Sequence, residues 1–304
     1  MMLSMATDYD VGVHEFRTYA DFMNGVGNPE QYLQRIAEAG FGYVHWCHHW
    51  RSDFFYQEPE LVHIGHLLKT YDLQILDIHG SEGIEKFWYS PQEYARLAGV
   101  ELVKNRIDFA ARFGADAVVM HAYPLPADPV ESELLWSQLR KTLDALVPYC
   151  RHLGVKLAIE NLIDFPAVRF KKLTPAQVGD NRDLLGRIFA AYPPDVVGLC
   201  WDSGHGNLGY DRLEVLEKYA DRLIVTHLHD NDGKSDQHRT LFTGTVDWSR
   251  TARLIAASPY NKPLTLEVCI DDRFDSQEAF LQESKRTGEE LAGIISSDPS
   301  FLSG

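Results

Sequence analysis

Phe113-Gly114-Ala115-Asp116-Ala117-Val118-Val119-Met120-His121 holds, in order, the end of an amphipathic segment, a glycine, a β-branched run and a histidine. The glycine suits a left-handed helix cap, and the run that follows reads as a strand. The same succession repeats along the chain. Apolar runs centre near Val11, Val44, Ile75, Val118, Leu157, Val197, Ile224 and Leu264, at intervals of roughly 27 to 42 residues, which is what strand-plus-helix units need. Helical spacing of apolar residues predicts partners over Glu30 to Ala39, Pro91 to Phe113, Ser132 to His152, Thr174 to Tyr192, Asp211 to Tyr219 and Asp275 to Ile295. Eight such units without a break in composition predict an α/β fold, a closed (β/α)8 TIM barrel forming a single domain over 1–304, with a polar tail from Ser296 to Gly304. The main competitor, a doubly wound open sheet, usually opens with a glycine-rich phosphate turn, and the sequence has neither GxGxxG nor GxxxxGK[ST].

The composition agrees with one large core, since 45% of the 304 residues are hydrophobic. No apolar run approaches the ~18 residues that cross a bilayer, and Met1 to Thr7 lacks the basic start of a secretory signal. A cytoplasmic protein with no membrane partner is expected. Cys47, Cys150, Cys200 and Cys269 have no CxxC spacing and read as free thiols. A formal charge of -15 lowers the expectation of a nucleic-acid partner without excluding a local basic groove.

A barrel of this type works at the C-terminal ends of its strands, and here those ends are polar. The third run closes on Asp77-Ile78-His79, the fourth on Met120-His121 and the fifth on Glu160-Asn161. The sixth closes on Asp202-Ser203-Gly204-His205, the seventh on His227-Leu228-His229-Asp230 and the eighth on Leu266-Glu267. Each ending alone is more often a helix cap or a satisfied polar group than a ligand. Together they cannot converge in a low-dielectric mouth without counter-charge, and no lysine or arginine closes any of the six runs. A divalent cation resolves that conflict, with Glu160, Asp202, His229 and Glu267 as its ligands. Mixed carboxylate and imidazole donors suit zinc or manganese, and also cobalt or iron, whereas calcium prefers oxygen alone. Period-two alternation puts His227 and His229 on one face, so the more C-terminal His229 is read as the ligand and His227 as a residue of the layer beneath. Asp236-Gln237-His238 adds two donors in the loop after the seventh run.

The stretch from His227 to His238, closed by Gly244-Thr245-Val246-Asp247-Trp248, resembles the seventh-strand signature of the xylose-isomerase-like TIM-barrel superfamily. The resemblance extends to Glu160-Asn161, Asp202-Ser203-Gly204-His205 and Leu266-Glu267, and so covers about strands three to eight. Sugar (phosphate) isomerases and epimerases and the endonuclease IV group share this superfamily. Resemblance to the tagatose 3-epimerase type implies one ion on Glu160, Asp202, His229 and Glu267, with the two glutamates facing opposite sides of the carbon that exchanges its proton. His205, His79 and His121 would then bind substrate. A metal stabilises cis-enediolate charge while one carboxylate abstracts a proton and the other returns one. Resemblance to endonuclease IV implies instead three zinc ions, with His79, His121, His205, Asp236 and His238 as additional ligands. The sequence departs from the superfamily where Phe242-Thr243 precede Gly244 in place of the usual Gly-Glu.

The leading expectation is therefore a metal-dependent isomerase or epimerase acting on a sugar or sugar phosphate. A multi-zinc phosphodiesterase or abasic-site endonuclease is the alternative, and a catalytically silent metabolite-binding barrel is the third reading. A DNA enzyme needs basic mouth loops, yet Arg51, Lys86, Arg169, Lys171 and Lys172 are mostly interleaved with Asp53, Glu58, Glu82, Glu85 and Asp164. Aromatic residues Trp50, Phe54, Phe55, Tyr56, Phe87, Trp88 and Tyr89, with Pro124, Pro126 and Pro129, mark loops that could cover the mouth or join subunits of a homo-oligomer.

Overall fold

The computed structural model describes residues 1–9, 29–163, 180–208 and 213–298. Eight strands form one parallel sheet: β1 Leu3–Ala6, β2 Tyr43–Trp46, β3 Gln74–His79, β4 Ala117–Met120, β5 Lys156–Glu160, β6 Val197–Asp202, β7 Leu223–His227 and β8 Leu264–Leu266. The order is β7-β6-β5-β4-β3-β2-β1-β8. A parallel bridge from Leu228 to Leu266 joins the two remaining edges, with Leu228 N donating to Thr265 O at 2.9 Å and Glu267 N to Leu228 O at 3.1 Å. The described strands thereby form a nearly closed (β/α)8 TIM barrel.

The first described strand is Leu3–Ala6, paired to β2 and β8; the run expected near Val11 lies outside the described residues. Leu-Ser-Met-Ala is short and holds no β-branched residue, so its propensity signal is weak. Tertiary pairing on both sides makes it a strand. The helices expected around the barrel are α1 Pro29–Glu38, α3 Glu93–Phe113, α4 Pro129–Leu153, α5 Arg182–Ala191, α7 Glu214–Tyr219 and α9 Gln277–Ser297, each shifted by a few residues from its sequence bounds except α5, which begins later. Part of the expected Thr174 to Tyr192 segment, the basic run Val168 to Lys172 and most of the polar tail lie outside the described residues. Three further helices, α2 Glu58–Thr70, α6 Ser203–Leu208 and α8 Trp248–Ala256, complete the described set. Gly114 ends α3 at φ 74°, in the left-handed region. Among the described residues, no helix is long and apolar enough to cross a membrane.

Period-two alternation divides each strand between two environments. Val118 and Met120, Leu157 and Ile159, Leu199 and Trp201 face the helices and belong to the main core. Their neighbours Ala117, Val119, Ala158, Cys200 and Val225 form a separate small-residue cluster inside the barrel. Continuing along that inner face leads to His121, Glu160, Asp202, His227 and His229. Small side chains thus fill the floor, and larger polar ones crowd the mouth above it.

Candidate metal centre

All nine residues singled out by the sequence converge at this mouth. His79, His121, Glu160, Asp202, His205, His229, Asp236 and His238 are each under 9% exposed, and Glu267 is partly so, with its side chain 15% exposed. Donor atoms of His79, His121 and Glu160 lie within 4.8 Å of one another, as do those of His205, Asp236 and His238, and those of His229, His238 and Glu267. His229 Nε2 is 3.0 Å from Asp202 Oδ2, and His121 Nε2 is 3.2 Å from Glu160 Oε2.

The motif residues between the ligand types hold the arrangement in place. Asp202 begins α6 and accepts the backbone N–H of His205 on Oδ1 at 2.6 Å, which leaves Oδ2 to face His229. The helix-cap and ligand readings of Asp202 are served by different oxygens. Asn161 pairs with the backbone of Asp202 in both directions, at 2.9 and 2.7 Å. Ser203 Oγ donates to His229 O at 2.7 Å and accepts from His229 N at 3.0 Å. Gly204 must lack a side chain, because a Cβ there would stand 1.9 Å from His229 Cε1. Asp230 and Arg239 exchange backbone hydrogen bonds at 2.8 and 2.9 Å, folding Asp236 and His238 back over the mouth. The ring of His238 then stacks on that of His229, centroids 3.8 Å apart and 9° from parallel. Phe242, which departs from the superfamily pattern, sits in the same loop at φ 65°, a left-handed conformation that a bulky residue rarely adopts.

The sequence did not point to several residues that orient these side chains. Glu82 Oε1 is 2.6 Å from His121 Nδ1, and Tyr123 hydroxyl also donates to Glu82. His238 Nδ1 is 2.7 Å from the carbonyl of Glu267, which makes Nδ1 the donor and turns Nε2 toward Asp236 Oδ2 at 3.2 Å. Asn181 spans Ala122 O, Glu160 O and Leu162 N. Of the mouth-loop aromatics, Trp50 stacks on His79, centroids 4.2 Å apart, and meets His121 edge-on. Trp88 has no exposure at all and donates to His121 O, so it supports a strand end and neither covers the mouth nor joins subunits. His227, placed by sequence in the layer beneath, does more than pack: its Nδ1 is 3.3 Å from Glu160 Oε2 and 3.3 Å from Glu267 Oε2.

Burial penalises both partners in these contacts, yet proximity of opposite charge prevails. Burial lowers the pKa of His121, but Glu160 and Glu82 push it up to about 9. His238 is pushed up to about 10 by Asp236, against burial. His205 is raised well above its ordinary value, chiefly by Asp202 and Asp236 against burial, and Glu160 is held well below the usual carboxylate range by His121 and His227 despite its burial. His79 goes the other way, lowered by burial and by His121. A cation binding these groups would compete with protons for the same donor atoms.

The donor set fits a divalent metal ion. His229 Nδ1, Asp236 Oδ1 and both ring nitrogens of His227 are buried without a well-directed hydrogen bond, a pattern that native interiors rarely keep unless another group completes it. Histidines whose second nitrogen is fixed by a carboxylate or carbonyl, as in His121 with Glu82 and His238 with Glu267 O, are the form that metal-binding imidazoles take.

Comparison with known proteins agrees with this geometry. The family described as xylose isomerase-like TIM barrel matches residues 33–294. The chain belongs to that family. Within reach of sequence comparison, it is 32% identical over 288 residues to y4fM of Sinorhizobium fredii, an uncharacterized protein, covering 87% of this chain and 89% of that one. Among solved structures it is similar to a D-tagatose 3-epimerase-like protein, with TM-score 0.71 at 18% identity over 97% of this chain and 98% of that one. It is likewise similar to a D-psicose 3-epimerase from Clostridium cellulolyticum H10, with TM-score 0.70 at 12% identity over 97% and 99% of the two chains. At such identities the structural likeness concerns the fold of this xylose isomerase-like barrel.

Proposed function

We propose that this xylose isomerase-like barrel is a divalent-metal-dependent isomerase or epimerase acting on a sugar or sugar phosphate. The observation that carries the reading is the relation of Glu160 and Glu267 across His227. One imidazole nitrogen lies 3.3 Å from an oxygen of each carboxylate, so the two oxygens are no further apart than twice that distance. They flank a common space. An epimerase needs such a pair, one carboxylate to take the proton from the carbon beside the carbonyl and the other to return a proton to the opposite face. The epimerases among the structurally similar proteins support the same substrate class.

Glu160, Asp202, His229 and Glu267 would hold the ion, zinc or manganese by donor type. When bound, it would offset the negative charge that develops on the substrate oxygens. Glu160 and Glu267 are both held below the usual carboxylate range against their burial, Glu160 by His121 and His227 and Glu267 by His227 and His238. His205, anchored by Asn161 O at 3.0 Å, and His79 remain to hydrogen-bond hydroxyls, and His121 would join them once Glu160 turns to the ion. Trp50, flat on His79 and covered by the Arg51 guanidinium on its ring, would shield the mouth from water.

The test is exchange of solvent deuterium into a ketose such as D-tagatose or D-fructose by the manganese- or zinc-loaded protein, followed by NMR. Exchange should occur at the carbon next to the carbonyl, and Glu160→Gln should abolish it. Exchange by that variant at the wild-type rate overturns the mechanism.

A second reading, a multi-zinc phosphodiesterase, is favoured by one observation: His79–His121–Glu160 and His205–Asp236–His238 each converge within 4.8 Å. Incision of an abasic DNA duplex by the zinc-loaded chain, without deuterium exchange into ketoses, would select it.

A further inference from the structure

Below the mouth, the barrel interior holds a second group of unsatisfied donors, reached through His45 and Asp77, which lie outside the motifs that carry the family resemblance. His45 on β2 and Asp77 on β3 are both fully buried, with His45 Nδ1 2.5 Å from Asp77 Oδ1. That contact makes Nδ1 the donor and leaves the lone pair of Nε2 directed elsewhere. Nε2 has no hydrogen-bond partner. The His45 ring lies against His227, centroids 4.6 Å apart and 64° between planes, and neither nitrogen of His227 makes a well-directed hydrogen bond. Donor atoms of His45, His227 and Glu267 all fall within 4.8 Å of one another, and so do those of His227, Glu160 and Cys200.

We propose that His45, His227 and Glu267 form an inner cation site beneath the mouth, with Glu267 shared between it and the metal position above. The 3.3 Å from His227 Nδ1 to Glu267 Oε2 and to Glu160 Oε2 is about the edge of a tetrahedron whose metal–ligand bonds are about 2.0 Å long. Asp77 behind His45 repeats the carboxylate–imidazole pairing that sets the tautomer of metal-binding histidines. Two imidazoles with a carboxylate, and the Cys200 thiol nearby, select a borderline-soft ion such as zinc or cobalt over magnesium or calcium. The small side chains of Ala117, Val119, Ala158 and Val225 line the same interior. His45 and Asp77 lie outside the motifs of the resemblance, and the site stands whatever reaction the mouth performs.

Counting ions decides it. The full chain is loaded with cobalt(II), passed through a weak chelating column, and assayed by elemental analysis and visible absorption. Wild type should retain at least two equivalents. Asp202→Asn combined with His229→Gln removes the outer position and leaves the inner donors intact; this variant should keep one equivalent with the intense absorption of tetrahedral cobalt. His45→Gln should lose one equivalent. Asp77→Asn, the mildest change, should weaken one ion by ~10- to 100-fold without altering the fold. A wild-type content of one, an ion-free folded Asp202→Asn/His229→Gln chain, or unchanged binding in His45→Gln overturns the inner site. Should the first two variants fail to fold, unaltered cobalt affinity in Asp77→Asn overturns it alone.

Discussion

His229 Nε2 stands 3.0 Å from Asp202 Oδ2, and neither side chain has any exposed surface. A buried imidazole and carboxylate at that distance, among further carboxylates, form a site whose stability depends on what fills it. An ion that binds the folded chain alone, at a hundred times its dissociation constant, adds about 2.7 kcal/mol to stability. Chelator-treated protein should therefore unfold at a lower temperature than protein with zinc or manganese restored. Asp202→Asn should lose most of that metal-induced rise in differential scanning calorimetry. An equal rise in the variant would remove Asp202 from the ligand set.

Gly204 offers a test that leaves every donor in place. Alanine there would bring a Cβ to 1.9 Å from His229 Cε1 and 2.4 Å from Nδ1, so the imidazole must swing away or the backbone must shift. Overpacking of this kind costs roughly 1–3 kcal/mol. Gly204→Ala should keep the helical circular dichroism of the barrel, melt at a lower temperature and bind less metal than wild type, as measured by elemental analysis. Full metal content in the variant would show that His229 is not held against Gly204.

Much of this arrangement was legible in the sequence because a strand's alternation is strict. Once Val118 and Ile159 are assigned to the outer face, His121 and Glu160 must share the inner one, and the barrel then gathers all such endings at one mouth. Leu3–Ala6 gave no signal in the sequence because it has no β-branched residue and is a strand only through its neighbours β2 and β8. Glu82, Asn181 and the His45–Asp77 pair escaped notice for a different reason. Their roles rest on which side chain each touches across the fold, and no spacing along the chain encodes that His45 in one strand meets Asp77 in the next. His227 was assigned to the correct layer but not to its contacts, since alternation gives a face and not the neighbours across the barrel.

Trp50 bears on substrate binding more than on stability. Its ring stacks on His79 at 4.2 Å with 30° between planes, the Arg51 guanidinium lies 4.1 Å above its centroid, and the residue is only half-buried. Trp50→Ala removes the ring that holds His79 and should lower thermal stability modestly while raising KM for a ketose about tenfold, the loss expected when a substrate-binding side chain is displaced at a cost of ~1.4 kcal/mol. Steady-state kinetics separate the outcomes: a fall confined to kcat, with KM unchanged, would place Trp50 outside the binding surface.

The loop that carries Asp236 and His238 hangs on Asp230, and that dependence can be measured. Asp230 has no exposed surface, and its two oxygens are divided between different donors: Oδ1 accepts from Val246 N at 3.1 Å and Oδ2 from Trp248 Nε1 at 2.8 Å. Trp248→Phe preserves the ring packing but removes the indole donor, leaving a buried carboxylate oxygen without its partner. Such a loss costs on the order of 1–3 kcal/mol. Because the Asp230–Arg239 bridge closes the loop over the mouth, the cost should appear locally, as faster hydrogen exchange at the Arg239 amide, which donates to Asp230 O. Global unfolding should shift by less than the loop does, since α8 keeps its Asp247 cap on Arg250 N. Asp230→Asn tests the same contact from the other side, presenting one acceptor oxygen in place of the two on which three donors converge, and should reproduce the exchange pattern. Wild-type protection of the Arg239 amide in both variants would show that the loop is held by other contacts.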